Sequence, residues 1–275
     1  IPKATLEEGL RQINSGPSLE TMIANNGGLN QQRIEGGMTA LCEALANDLG
    51  EVVRLGNPVT KVTHGDTAVV TLASGETVEA RTVVSTLPPR LAVALEYDPP
   101  LPQWRRDVAE KVAPGNVIKA YLVYETPFWR ERGLSGQSSS DEGAVRVTFD
   151  TTPADSTRGL LMGFFEGNEA DSLAHRSLET RRRAFVESAV HAFGEEAAEP
   201  SEYVERDWSA EQYTRGCHGA HFAPGIWTSN GPVLAASEGC LYWAGAEYST
   251  KFNGYMEGAV RSGEEVAATI AVALI

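Results

Sequence analysis

YWAGAEYSTKFNGYMEGAVRSG, residues Tyr242–Gly263, decides how this chain is read. Its short apolar start predicts a strand that ends in Ala244-Gly245-Ala246-Glu247. Gly254-Tyr255-Met256-Glu257-Gly258-Ala259 then opens a helix that runs to the end of the chain. Glycines at a strand end and at a helix start let a planar or anionic group come close to the backbone. The unpaired N–H groups and the helix dipole at such a place favour an electron-rich acceptor. On spacing alone two readings stay open: a ligand cradle, or an ordinary strand–turn–helix that needs glycine for tight packing.

The stretches before it divide into two kinds. Residues 1–33 predict short amphipathic helices in LEEGLRQI and LETMIANN. RIEGGMTALCEALANDLG, residues 33–50, predicts a Gly-Gly turn and a helix whose Met38, Leu41, Cys42, Leu45, Ala46 and Leu49 fall at helical spacing, with Gly50 as C-cap. Cys42 reads as a core residue of that stripe. EVVRLGNPVTKVTHG and DTAVVTLASGETVEA, with a turn at Ala73–Gly75, predict strands, and RTVVSTLPP a short buried one at Val83–Val84 stopped by Pro88-Pro89. After a proline-punctuated connector over residues 91–110, NVIKAYLVYETPFW, AVRVTFDTT and GLLMGFFEGN predict a second sheet. The helix SLETRRRAFVESAVHAFG and the strand-like YVERDWS follow, then a loop-rich stretch from Gly216 to Cys240. The closing VAATIAVALI reads as a buried helix end, with a short membrane tail as the alternative. An α/β layer at both ends around a mostly antiparallel block predicts an α/β plus α+β fold.

Composition excludes several function classes. Twenty-three Lys plus Arg against 37 Asp plus Glu leave a net charge of −14, and no basic cluster offers a nucleic acid its footprint. Arg181–Arg183 carries acids on both sides and reads as a solvated helix face. A hydrophobic fraction of 42% is that of a globular protein, and no apolar run reaches the roughly 18 residues of a membrane span. Cys42, Cys217 and Cys240 are too scattered for a disulfide framework or a zinc site, which implies a reducing, cytoplasmic setting. GxSxG, HExxH and P-loop motifs are absent, and His218-x-x-His221 is a weak metal signal in a loop, so no metal is expected. His191 falls on an amphipathic helix and reads as structural.

WAGAEYSTKFNGYMEGAVRSG closely resembles the C-terminal flavin-binding signature of the flavin-containing monoamine oxidase family. DWSAEQYTRGCHGAHFAPGI resembles the stretch carrying that family's aromatic residue, Tyr and flavin-linking Cys, and VAPGNVIKAYLVYETPFWR the strand bearing its active-site lysine. RIEGGMTALCEALANDLG and LGNPVTKV resemble a second FAD-contacting unit, and VVSTLPP and DPPLP its crossover. The matches run in collinear order from about Arg33 to the end.

The resemblance implies FAD as cofactor, a small amine substrate and O₂. It implies a partial FAD-binding layer, the second half of a Rossmann-like domain, with an inserted mixed or antiparallel substrate domain. The expected divisions are a helical segment at 1–33, FAD-binding parts at 34–90 and 206–275, and a substrate-binding part at 91–205. Lys119 would hold a water at the reacting flavin atom, and Tyr255 would form one wall of an aromatic cage for the amine. Trp208 and Tyr213 would frame the flavin, and Cys217 stands where covalent members link it, with covalent and noncovalent binding both open. Gly245 and Glu247 would meet the flavin and its ribityl side, Gly254 would shape the loop, Met256 would offer its N–H, and Val59 would meet the adenine side by its main chain. Each also has a plain structural reading, as a surface lysine, core aromatics or an unmodified thiol.

Two departures qualify the implication. The second cage wall is usually aromatic, and here His218 takes its place, still able to stack or to act as an acid–base group. No GxGxxG occurs in the 275 residues, so the pyrophosphate side is expected from an N-terminal segment or a partner chain, and the isolated chain is expected to be inactive and to bind FAD weakly or not at all. The alternatives are an L-amino-acid oxidase of the same superfamily, for which Arg215 would clamp the substrate carboxylate, and a flavin-free interaction domain.

Overall fold

The computed structural model describes residues 34–217 and 220–274, together with 15, 16, 18, 20 and 21, and Pro232 by its backbone alone. The helices expected in 1–33 lie almost wholly outside these residues, and His218 lies outside them too. Two compact units divide the chain, a central one of residues 114–221 and a flanking one built from both sides of it. Residues 91–113 therefore group with the flanking unit and residues 206–221 with the central one, whereas the expected divisions stand at 90/91 and 205/206.

The flanking unit begins with α1 (Met38–Leu49), which ends at Gly50, a left-handed residue (φ 67°) whose N–H donates to the Ala46 carbonyl. Its apolar stripe forms as the spacing predicts, yet none of its residues is buried. Cys42 is exposed, not core, because nothing lies over that face among the described residues. β1 (Val59–His64), β2 (Ala68–Leu72) and β3 (Thr77–Ala80) form an antiparallel meander, and the β2–β3 turn needs Gly75 (φ 87°). β4 (Val83–Ser85) leads to α2 (Pro89–Ala92), and β5 (Glu96–Asp98) returns parallel to β1, giving the order β3-β2-β1-β5. α3 (Gln103–Glu110) and β6 (Val112–Pro114) complete this part.

In the central unit β7 (Val117–Tyr124), α4 (Phe128–Glu131), β8 (Ser138–Ser139), β9 (Val147–Asp150), β10 (Gly159–Glu166), α5 (Asn168–Ala174), α6 (Leu178–Phe193) and β11 (Glu202–Asp207) follow in turn. The strands make one antiparallel sheet, β11-β7-β10-β9-β8. Alternation decides its two faces. Ile118 pairs with Phe165, Leu122 with Leu161 and Ala120 with Gly163, and the side chains of Ile118, Ala120, Leu122, Leu161 and Phe165 enter the core together with Trp129, Phe185, Ala189 and Phe193. A Cβ on Gly163 would stand 2.7 Å from the Phe185 ring, so the bare backbone is what lets α6 sit down on the sheet. Fully burying each large side chain contributes about 1.5–3 kcal/mol.

α6 is capped at both ends, Ser177 accepting from the Thr180 N–H and Gly194 (φ 92°) closing it. Arg181 on this helix corrects the solvated reading. Its Nε meets both Glu205 oxygens at 2.8 Å, its Nη1 donates to the carbonyls of Leu173 (3.0 Å) and Arg176 (2.5 Å), and its side chain is only 13% exposed. It joins the ends of α5 to β11; Arg183 is the solvated one.

The chain returns through β12 (Ala220–Phe222), α7 (Ile226–Leu234), β13 (Leu241–Trp243) and α8 (Met256–Ala273). α7 replaces part of the expected loop. Its Thr, Ser, Asn, Gly and Pro are poor helix formers, and tertiary anchoring by the Phe222–Trp227 ring contact overrides them. β13 pairs parallel with β4, register Leu241–Val83 to Trp243–Ser85, in a sheet of two strands. Val84 is 41% exposed, so β4 is half-covered where a buried strand was expected. α8 buries only Gly258 and Ser262, and Val272 is 76% exposed, so the expected buried helix end is a solvent-facing one. Among the described residues no helix is long and apolar enough to cross a membrane.

Candidate functional site

The flanking unit carries the turn between β13 and α8. Ala244 N–H continues the ladder to the Ser85 carbonyl at 3.0 Å. The Gly245 N–H donates to Ser262 Oγ at 2.8 Å, and that hydroxyl's proton is shared between the Gly245 and Ala259 carbonyls. Ser262 thus bolts the strand end to the helix face. Gly245 (φ 137°) and Gly254 (φ 80°) hold backbone conformations that side chains disfavour, and the Gly254 N–H reaches back to the Ala246 carbonyl at 3.1 Å. Asn253, buried, donates to the carbonyls of Glu247 (3.1 Å) and Ser249 (2.8 Å), closing the loop on itself. A Cβ on Gly258 would stand 2.3 Å from the Phe252 carbonyl oxygen, so the first turn of α8 is pressed onto that loop.

Glu247 is 8% exposed, and burial pushes its carboxyl above the ordinary range, opposed only in part by its own backbone N–H. Tyr255 stands half-buried at the N-cap of α8 and gives no side-chain cap, so the first amides of the helix, that of Met256 included, keep donor capacity. The Met256 side chain itself is 55% exposed. Val59 begins β1 opposite Leu72, half-buried.

The central unit holds the other expected residues. Lys119 stands on the face of the sheet opposite α6, where alternation also puts Tyr121, Met162 and Phe164. Its Nζ lies 5.6 Å from the Tyr121 ring centroid and 5.8 Å from that of Phe164, with no carboxylate partner among the described residues. Trp208 follows β11; its N–H reaches the Val117 carbonyl at 3.3 Å, and its buried indole Nε1 has no acceptor among the described residues. Cys217, half-buried, donates its N–H to the Gly115 carbonyl at 2.9 Å. A Cβ on Gly115 would meet the Cys217 carbonyl oxygen at 2.0 Å, and one on Gly216 would meet Pro114 Cβ at 2.4 Å, so the two segments interlock by bare backbone. Tyr213 is 65% exposed, and Arg215 is exposed with φ 49°. Backbone hydrogen bonds therefore bring the Trp208 and Cys217 segments to the start of β7, the strand that carries Lys119, while Tyr213 is on the surface.

Each unit, taken by itself, carries features that fit a flavin. In the flanking unit a helix start without a side-chain cap and a glycine-lined turn suit a flat, acceptor-rich ring. In the central unit the Trp208 indole is a buried donor with no acceptor among the described residues. Residue patterns gave no notice of Ser262 or Asn253, whose only trace is a small polar residue beside glycine at helical or loop spacing. Among the described residues no group of three or more His, Cys, Asp and Glu could hold a metal ion.

The model for flavin containing amine oxidoreductases matches residues 4–271. AofH of Mycobacterium tuberculosis is 38% identical over 265 residues, 96% of this chain and 58% of that protein. Flavin-containing amine oxidase B of Canis lupus familiaris is 35% identical over 259 residues, 93% of this chain and 50% of that one. The structure of wild-type putrescine oxidase bound to putrescine superposes with a TM-score of 0.91 at 32% identity, over 96% of this chain and 59% of that one. The chain thus spans about half to three-fifths of the length of these relatives. By sequence and by fold it belongs to the flavin-containing amine oxidoreductase family.

Proposed function

We propose that this chain is the isoalloxazine-facing part of an FAD-dependent amine oxidase that converts an amine C–N bond to an imine while O₂ becomes H₂O₂. The observation that carries the reading is the Gly245–Gly258 turn, held by Ser262 and Asn253 and open at the first amides of α8. When bound, FAD would supply the two-electron acceptor, taking a hydride equivalent from the amine carbon and passing the electrons to O₂. In the flanking unit the amides at Met256 would donate to the ring, the turn at Gly245, Glu247 and Gly254 would receive its edge, and Val59 would serve the adenine side. Trp208 of the central unit is assigned to the ring on resemblance. Tyr213 would frame the ring from the surface, and Cys217 is the linking thiol if attachment is covalent.

Lys119 is assigned the proton-moving role. Its ammonium projects between two aromatic faces without a carboxylate to bind it, so it is free to orient a water. Tyr255 and His218 are assigned, on resemblance, to flank the unprotonated amine. We assign the pyrophosphate side to a further component, an N-terminal segment or a partner chain, and the apolar stripe of α1 and the apolar side chains of α8, exposed among the described residues, support one. A cytoplasmic location is part of the same proposal and rests on cysteine usage.

The test is the longer gene product purified with its upstream sequence. Yellow protein with a flavin spectrum and peroxide release on an amine panel is the expected result. Protein without flavin and without turnover would sink the proposal. Intact mass decides the linkage at Cys217.

A further inference from the structure

We infer that Arg105, on α3, is a positioning residue for the Gly245–Glu247 turn, acting through Trp243 and Tyr248. The inference rests on the reading of that turn as the flavin-facing one. Arg105 is 3% exposed, in a helix whose polar neighbours are solvated. A buried guanidinium is costly unless its donors are used, and here they are. Nη1 donates to the Leu234 carbonyl at 2.8 Å and Nη2 to the Ala236 carbonyl at 2.7 Å, while Nε and Nη2 both face Glu238 Oε1 at 3.4 Å. Two of these acceptors end α7 and begin the approach to β13, where a cation also answers the helix dipole. The remaining face of the group is spent on aromatic rings: Cζ lies 4.3 Å from the Trp243 centroid and 4.7 Å from that of Trp104.

What Arg105 holds is more informative than how it is held. Trp243 ends β13, and its indole Nε1 is buried without an acceptor among the described residues. No hydrogen bond fixes that ring, so its orientation depends on what packs against it. Arg105 is one such neighbour, Tyr97 another at 6.3 Å, and Tyr248 a third, stacked at 6.4 Å and 27°. Tyr248 is itself tied, its hydroxyl donating to the Leu87 carbonyl at 3.0 Å. Its ring stands 3.4 Å from where a Cβ of Gly245 would be. The sequence guanidinium, indole, phenol, Gly245 is therefore a continuous packed path inside one unit. Among the described residues β13 is three residues long and has β4 as its one partner strand, with a further single bridge from Leu241 to Glu238, so this path supplies a constraint that the short ladder cannot. A lysine would keep the charge but lose the planar fork that serves carbonyls and rings at once.

The experiment compares the wild-type chain with R105M, R105K and W243L, and with D150N as a control that removes a charge from the other unit. Amide hydrogen exchange is read over residues 244–248 in the chain without flavin, and FAD affinity is read in the longer gene product. The expected result is exchange at 244–248 about tenfold faster in R105M and W243L, FAD bound about tenfold more weakly, R105K between, and D150N unchanged on both. Where R105M fails to fold, R105K and W243L carry the test. Unchanged exchange over 244–248 in the folded variants overturns the inference whatever FAD does. Faster exchange together with a wild-type protein that binds no FAD overturns the flavin reading, and with it the purpose assigned to Arg105.

Discussion

The central unit and the flanking unit treat their apolar surface in opposite ways. In the first, α6 closes one face of a five-stranded sheet, and Trp129, Phe165, Phe185, Leu122 and Leu161 are all sealed from solvent. In the second, the apolar stripe of α1 and several apolar side chains of α8 are exposed among the described residues. Met38, Leu41, Leu45 and Leu49 of α1 and Met256, Val260 and Val272 of α8 are exposed. Its parallel pairs among the described residues are two, β4 with β13 and β5 with β1, and parallel pairs are normally covered on both faces. A self-contained antiparallel block and an unfinished parallel layer thus lie in one chain. Periodicity reports that a face is apolar; whether anything covers it is a separate fact.

The contrast can be broken by mutation. Phe185→Ala opens the sealed core and is expected to cost about 3–5 kcal/mol, read by denaturant unfolding of the central unit. A loss under 1 kcal/mol would mean that core is not the organising one. Glu205→Ala strands the Arg181 guanidinium between α5 and β11, with an expected cost of about 3 kcal/mol. Restoration by the double variant with Arg181→Met would confirm that the stranded charge is the cause.

Asp150 gives the pH dependence. Burial alone would raise its carboxyl, but hydrogen bonds from Arg130 Nε (2.6 Å), the Thr152 N–H (2.8 Å) and Trp129 Nε1 (2.9 Å) outweigh it and hold it below the ordinary range. A depressed folded value means the contribution is complete above the unfolded value, about 4, and disappears as pH falls through the folded one. Asp150→Asn should cost about 1–2 kcal/mol at pH 7 and flatten the stability curve below pH ~4, seen as melting temperature against pH. An unchanged acid limb would remove Asp150 from the account.

The smallest effect is the most diagnostic. Leu45→Ala on α1 should change stability of this chain by less than about 0.5 kcal/mol, because the side chain is already 56% exposed. In the longer gene product the same change is expected to cost about 2 kcal/mol or more. Equal small effects in both would mean that the stripe has no cover.

Legibility followed the same division. In the central unit, alternation around VIKAYLVY and GLLMGFFE separates Lys119 from the core residues beside it, because both faces of that sheet are decided within the chain. The α6 boundaries followed from Ser177 and Gly194. In the flanking unit the elements were legible and their burial was not, as Cys42 and Val272 show. α7 escaped notice because its residue types are poor helix formers and Arg105, which holds its end, lies 129 residues from Leu234 in sequence. Of the site, the glycines and Lys119 stood out by residue type. Ser262, Asn253 and Arg105 did not, because their roles depend on partners distant in sequence or on backbone carbonyls.

The interlock of Gly115 with Gly216 has an evolutionary consequence. Each glycine forbids a side chain on account of the other's segment, since Pro114 and Cys217 occupy the space in both directions. Neither position can drift alone, and a compensating change would have to move two backbones at once. Selection from a library randomised at both positions should therefore return glycine at both, even when only folding is selected. The thiol of Cys217 then rides on a fixed frame, and its chemistry can be gained or lost by single substitutions without disturbing the loop that presents it.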